Sequence, residues 1–477
     1  MIQESPAGPP EVLVPGALGG AGAAPAAAGA TAGVTRRLAT STATSRAARP
    51  RLQTGIPEDS TVHPFSVEPP SPAVGRPATR PPWGWLALLC AAELGTMVTF
   101  ASYTAAQPLL QRAWDLSAAQ AGAIFAAQQA GYTVAVVVLS SLTDVVGVRR
   151  VYLASAAWNA LAAALFGLGA AGFLSALLLR ALIGVGLAGT YMPGMRLVAE
   201  TFPAHRRATA LGLYVAGFGA GTALSLFVSG LLLPLGVRRM FLLTALGPAL
   251  ALLLAWGAVR DPVRTAAPRR PAFRAALRNA AALRYIGAYA AHNWELFGMR
   301  AWLPVYLAAL WSAQGLALPE ATRLATSVGS AVLLAGAISN AAGGWVGDRL
   351  GRRATVVLVL SASAACSAAI GWLLPLGPGV VLPVAVVYGL LVTAESSTLS
   401  SAVAEHAPPG ALGTTMAVQS ALGFIATILG PALFGLLLDR AGWGWAFLSL
   451  AVAPLLGAAL VATAGSLGQQ AERSAPR

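Results

Sequence analysis

The chain contains no lysine: all 31 of its basic residues are arginine. With abundant alanine beside it, this is most simply a GC-rich coding bias, so the net charge of +14 is no argument for a nucleic-acid partner. Cysteine is nearly absent. Cys90 and Cys366 both fall inside apolar runs, which excludes a disulfide framework and a thiolate metal site. Charge of either sign is scarce, 10% of residues against 56% hydrophobic, with a mean hydropathy of +0.68. No soluble domain needs so little charge, so the chain reads as an integral membrane protein. A His/Asp cluster, paired cysteines and a nucleotide-binding loop are also missing, which argues against a membrane-embedded enzyme.

What the chain does have is apolar runs. Twelve follow one another from Trp83: 83–107, 118–142, 151–170, 173–195, 208–234, 240–259, 284–310, 324–347, 354–375, 379–403, 411–438 and 443–465. About 20 residues cross a bilayer, and backbone groups in hydrocarbon must pair internally, so each run is expected to be a helix. Residues 1–82 hold no such run and are rich in Ala, Pro, Gly, Ser and Thr. A disordered cytoplasmic tail, an organelle transit peptide and a start assigned too early are three open readings of them. With both termini inside, eighteen near-membrane arginines face the cytoplasm, and five (Arg112, Arg238, Arg239, Arg323 and Arg440) face out. That asymmetry sets the orientation. The expected organisation is an N-terminal bundle 83–259, a basic linker 260–283, a C-terminal bundle 284–465 and a short tail 466–477.

Between runs eight and nine lies Gly343-Gly-Trp-Val-Gly-Asp348-Arg349-Leu-Gly351-Arg352-Arg353. A degraded copy, Ser140-Ser-Leu142-Thr-Asp144-Val-Val-Gly147-Val-Arg149-Arg150, lies between runs two and three. Glu93-Leu-Gly-Thr-Met97 is echoed by Glu295-Leu-Phe-Gly-Met299, and Val198-Ala-Glu200 by Val403-Ala-Glu405. The offsets are all close to 204 residues, as a duplicated six-helix unit requires. The loop resembles the Gly-x-Leu-Ala-Asp-Arg-x-Gly-Arg-Arg signature between helices 2 and 3 of the major facilitator superfamily. Arg180-Ala-Leu-Ile-Gly184-Val-Gly186 is similar to the family's helix-4 Arg-x-x-x-Gly-x-Gly motif. The resemblance spans about Trp83 to Leu467. It implies an all-α fold of twelve transmembrane helices in two pseudo-symmetric six-helix bundles, with helices 1, 4, 7 and 10 lining a central cavity.

Six ionisable groups lie well inside the runs: Glu93, Arg180, His292, Glu295, Arg300 and Glu395. They fall on runs 1, 4, 7 and 10 alone. Intramembrane charges are costly and mark pathways, so these six are the expected substrate and proton site. Glu93 is about eleven residues into its run, roughly 16 Å deep. A carboxyl withdrawn from water can exchange a proton near neutral pH, and Glu93 comes before Glu295 as the candidate carrier. Arg180 and Arg300 are the expected attraction for a small anion. Tyr285 and Tyr289 extend the His292 face toward the cytoplasm, and Gln128, Gln129, Tyr132 and Asn340 are candidate cavity borders, each read individually as a helix–helix hydrogen bond first. One His with one Glu is too few ligands for a metal, and no cofactor is expected.

The loop charges form an expected cytoplasmic gate. Asp144 with Arg149 and Arg150, and Asp348 with Arg349, Arg352 and Arg353, can pair across helix ends with Glu200 and Glu405. The first copy replaces Gly, Arg and Arg of the pattern with Ser140, Val145 and Val148. By resemblance, such charges latch the cytoplasmic side. The expectation is a non-enzymatic secondary transporter of the bacterial inner membrane. It would act as a monomer, move a small anion with protons, and have no nucleic-acid partner. Drug or metabolite efflux on the same fold and a non-transporting receptor are the alternatives.

Overall fold

The computed structural model describes residues 83–260 and 272–463, which are helical throughout, with no strand among them. Span one is α1 (Trp83–Met97) and α2 (Ser102–Ala113). Spans two to five are α3 (Ala118–Val146), α4 (Val148–Gly169), α5 (Phe173–Thr201) and α6 (Ala204–Leu232). Span six is α7 (Val237–Thr244) with α8 (Leu246–Ala258). After the short α9 (Phe273–Arg278) come α10 (Ala280–Ala313), α11 (Leu318–Leu350) and α12 (Arg352–Ile370) as spans seven to nine. Span ten is α13 (Pro378–Ala394) and α14 (Ser396–Glu405), and α15 (Leu412–Ala462) closes the fold.

Ten of these segments are long and apolar enough to cross a membrane. α15, at 51 residues, is two helices joined at Gly442 (φ 79°). α10 has 34 residues and the length to cross, but it carries the densest set of interior charges. Counting α15 twice and adding α10 matches the twelve apolar runs. The helices overrun the runs, as 324–347 becomes 318–350, because polar residues at the ends continue the helix into the interface. The linker expected at 260–283 is partly helical, since it contains α9 and the start of α10. Its residues 261–271, both expected tails (1–82 and 466–477) and the readings attached to them lie outside the described residues.

The duplicated loops make the same turn. Gly147 (φ 95°) is the single residue between α3 and α4, and Gly351 (φ 84°) is the single residue between α11 and α12. Only glycine enters that backbone region without strain, which gives the sequence pattern its fixed residue. Interior glycines serve packing instead. A Cβ on Gly184 of α5 would lie 2.0 Å from the Gln128 carbonyl oxygen of α3, and one on Gly131 would lie 2.0 Å from that of Ala181. The two backbones therefore touch, as small residues allow between membrane helices.

The apolar core is forked. Around the start of α3, one continuous cluster joins residues of both six-helix units, from Met97 and Phe125 to Trp302 and Phe447. Toward Gly147 and Gly351 the core splits. One branch gathers Leu89, Tyr152, Phe202 and Tyr214 from the first six spans. The other gathers Tyr285, Val356, Leu399 and Val403 from the last six. The bundle thus has a closed end, where α3 begins, and a split end, where the duplicated loops lie.

Gly184→Ala is expected to destabilise the protein by about 1–3 kcal/mol, the usual cost of overpacking. Gly212→Ala, where a Cβ meets nothing within 4 Å, is expected to be neutral or slightly stabilising. Thermal midpoints of the two purified variants in detergent make the comparison.

Candidate substrate and proton site

Span one is interrupted between Met97 and Ser102, and the interruption determines where Arg180 goes. Carbonyl groups released from a helix at membrane depth need partners. The Arg180 guanidinium donates to Thr99 O at 3.3 Å and to Phe100 O at 3.1 Å. Ser225 of α6 donates to Val98 O at 2.6 Å and accepts from the Ala101 N–H at 2.9 Å. Arg180 is 1% exposed, and its guanidinium carbon lies 5.4 Å from the Tyr103 ring. The arginine expected to attract an anion is thus occupied in holding a broken helix.

Glu93 lies at the first branch of the fork, fully buried. One carboxylate oxygen accepts from the Tyr214 hydroxyl at 3.0 Å, and the other has no hydrogen-bond partner. It forms no ion pair with Arg180 or Arg300. Aromatic rings lead on from it toward the centre. Tyr214 stacks on Tyr191 at 5.9 Å, Tyr191 meets Phe218 at 5.0 Å, and Phe218 meets Phe100 at 5.4 Å. Arg300 ends this path. Its guanidinium carbon is 5.9 Å from the Phe218 ring and 5.2 Å from that of Phe297. Arg300 is only partly buried and has no ion-pair partner among the described residues. Tyr132 of α3 packs on Phe424 of α15 at 5.1 Å, which brings the two units together at the same level.

In the other branch, four groups come together. His292 Nδ1 lies 2.8 Å from Glu395 Oε1, and its Nε2 lies 2.7 Å from Ser396 Oγ. His292 and Glu395 are 2% and 0% exposed, whereas Ser396 is partly open. Glu295, also fully buried, sits beside Ser363 and Tyr388 with neither oxygen in a hydrogen bond, and close enough to Glu395 for their charges to interact. The break between α13 and α14 falls at Glu395 and places Ser396 at the start of α14. The order Ser396–His292–Glu395 is that of a hydroxyl–imidazole–carboxylate relay. The backbone N–H of Ser397, the donor an oxyanion would need after such a serine, is held by Asn340 Oδ1 at 3.1 Å. The arrangement is suited to moving a proton and not to acyl transfer.

The gate residues pair differently from expectation. Asp144 and Glu200 both bind Arg196, at 2.6 and 2.8 Å, and not Arg149 or Arg150. Arg149 donates to Val259 O and Trp256 O, each at 2.9 Å, at the end of α8, and Arg150 is exposed. Arg353 likewise donates to Ala462 O at the end of α15. Arginines at helix C-termini satisfy carbonyls that have no intrahelical partner, so these two act as caps. Arg352 bridges Asp348 at 2.7 Å and Glu405 at 3.2 Å, as expected, and Arg349 stacks 3.9 Å from the Trp345 ring. Each of these ion pairs stays within one six-helix unit. The polar tie between units is at the closed end, where the Asp439 carboxylate accepts from the Ala118 and Ala119 N–H groups at 2.7 and 2.8 Å. Sequence reasoning counted Arg196 only as a topology charge and passed over Asp439, Ser396, Tyr191 and Tyr214. An acid at a run end beside Arg440 was the available signal for Asp439.

A helical membrane protein with a forked core, charges gathered where the fork begins and, among the described residues, a polar tie between its units at one end has the arrangement that alternating-access transporters use. The Major Facilitator Superfamily profile matches residues 88–431, and the chain belongs to that family. It is similar to a hexuronate transporter of Bacillus subtilis (strain 168), 25% identical over 362 residues, covering 71% of this chain and 83% of that one. Its fold is similar to a bacterial homologue of the human lysosomal transporter Spinster, crystallised in an inward-facing and occupied conformation. There the TM-score is 0.63 at 16% identity, covering 83% of this chain and 98% of that one. The unoccupied inward-facing form of that homologue gives a TM-score of 0.61 at 16% identity, covering 81% and 96% of the two chains.

Arg180→Gln is expected to leave the Thr99 and Phe100 carbonyls unpaired and to cost about 1–3 kcal/mol. Its thermal midpoint in detergent falls without any ligand present, a loss that a purely substrate-binding arginine would not produce.

Proposed function

We propose that the protein moves a small monocarboxylate across the cytoplasmic membrane together with a proton. The observation that carries this reading is Arg300: a mostly buried arginine between Phe218 and Phe297, its Nε without a hydrogen-bond partner and with no acidic partner among the described residues. A lone, weakly hydrated guanidinium offers a paired donor fork to one carboxylate. Its charge balances one negative charge, which favours monoanions over dianions. Tyr132, Tyr191 and Tyr289 supply hydroxyls and ring faces for the body of the solute. The likeness to a hexuronate transporter supports a sugar acid or similar hydroxy acid as the carboxylate.

The coupling proton travels by Ser396, His292 and Glu395, with Glu295 behind them. This chain has an open hydroxyl at one end and carboxylate oxygens without partners at the other. Glu93, placed first on the sequence, is screened by Tyr214 and Tyr191 and is the second candidate. The units 83–259 and 284–465 rock about this level, and the split end, with the duplicated loops, faces the cytoplasm along with both termini. Efflux remains the reading to adopt if organic cations are the ligands.

Arg300→Gln is expected to weaken carboxylate binding at least tenfold, read as loss of ligand-induced thermal stabilisation, while the ligand-free midpoint stays near wild type. Unchanged stabilisation by carboxylates in this variant would sink the assignment.

Glu395→Gln is expected to abolish accumulation driven by an imposed pH gradient in proteoliposomes while leaving equilibrium exchange of substrate intact. If gradient-driven accumulation survives here and is lost in Glu93→Gln, the proton belongs to Glu93.

A further inference from the structure

At the closed end, away from the central site, a cavity of about 450 Å³ lies between α2, α4 and α7. That volume is in the range of ligand pockets. Its walls are apolar and aromatic, with Leu109, Trp114, Phe166 and Phe241 among them, and Arg238 stands in the lining. Leu168, also in the lining, is 55% exposed, so the cavity opens on a surface that carries bare leucine.

The charge around this opening is unusual. Arginine is sparse at this end of the protein, where the spans connect through Arg112, Arg238, Arg239, Arg323 and Arg440 only. Three of those five lie on the helices that form this cavity, and one of them, Arg238, is in its lining. Arg239 follows it in α7, and Arg112 precedes the lining residue Ala113 in the last turn of α2. All three are exposed, and none has an ion pair among the described residues. The neighbouring acid is Asp115, which leaves the rim with a net positive charge. Basic residues that serve only topology belong at the other end, so this cluster calls for a local anion.

We propose that this cavity is a binding site for an anionic phospholipid, with an acyl chain against Trp114, Phe166 and Phe241 and the headgroup phosphate on Arg238 and Arg112. An amphiphile fits an open, mainly apolar groove with an arginine in its lining and an exposed leucine at its mouth. Guanidinium groups pair with phosphate through two parallel hydrogen bonds, and basic pockets between membrane helices hold anionic headgroups by this chemistry. The aromatic Trp114 at the rim matches the depth at which headgroups begin. The site is independent of the transport reading, because it shares no residue with the central cluster.

Full-length protein is purified, delipidated and mixed with phosphatidylglycerol or phosphatidylethanolamine, and bound lipid is counted by native mass spectrometry. Wild-type protein is expected to retain phosphatidylglycerol with a several-fold preference. The Arg112→Gln/Arg238→Gln double variant is expected to show no preference. Ala113→Trp, which fills the cavity and leaves the arginines in place, is expected to lose the bound lipid, while Arg323→Gln keeps the wild-type preference. Equal retention of the two lipids by wild type, a preference untouched by both the double variant and Ala113→Trp, or displacement of the lipid by millimolar inorganic phosphate would each overturn the proposal.

Discussion

A carbonyl group without a partner in hydrocarbon costs several kcal/mol, and this fold is arranged around the places where helices are nonetheless interrupted. The break between α1 and α2 exposes backbone oxygens near mid-depth. Arg180 and Ser225, from two different helices, take them up. A side chain whose charge would be prohibitive alone becomes affordable because it cancels a second cost. In the same way the α13–α14 break turns Glu395 inward and places Ser396 on the imidazole of His292. The polar site is therefore a consequence of irregular backbone at membrane depth, which is tolerated where protein covers it.

The fold was legible to the extent that hydrocarbon dictates it. Apolar runs of bilayer length gave helices, and the repeated loops gave the glycine turns at Gly147 and Gly351, because each feature depends on residues close together in sequence. The interruptions were not legible. Val98 to Ala101 and the residues around Glu395 read as apolar or small, and nothing local to them shows that α5 and α6 supply the missing partners. The pairings of Asp144, Arg149 and Arg353 were not legible for the same reason. Arg149 and Arg353 were expected to meet Glu200 and Glu405, but each lies beside the end of another helix, α8 or α15, and donates to carbonyl oxygens there. Which intramembrane groups are candidates could be read from their rarity. Which of them pair could not, because pairing depends on rotations of helices far apart in the chain.

The six groups divide by environment in a way their chemistry alone did not suggest. The two arginines look alike in sequence, yet Arg180 donates from both terminal nitrogens to backbone carbonyls, its Nε alone left without a partner, and Arg300 has ring faces and no acid among the described residues. The three glutamates differ as well: one bonds a tyrosine, one bonds a histidine and one has oxygens without partners. A transporter needs this inequality. On the proposed reading, a charge whose terminal donors are taken up by the resting protein holds structure, and one whose donors are free is open to a substrate or a proton.

The forked core and its ties set how the molecule can change shape. At the closed end, the Asp439 carboxylate meets two N–H groups that have no intrahelical partner, at the positive end of the α3 dipole. Around it, glycine lets backbones touch, since a Cβ on Gly435 would lie 2.3 Å from Ala118 O. Opening this end removes a charge-assisted pair and apolar contact together, so it needs compensation elsewhere. The split end has the means to provide it. Arg196 and Arg352 each hold two partly exposed acids, and such pairs contribute little where water reaches them. In the proposed rocking of the units, bringing them together there desolvates groups that are already paired, and lets arginines exchange partners across the gap without leaving a bare charge. One end is thus held by a few directional bonds and close backbone packing, the other by interchangeable ion pairs. That asymmetry lets two shapes of one chain lie close in free energy.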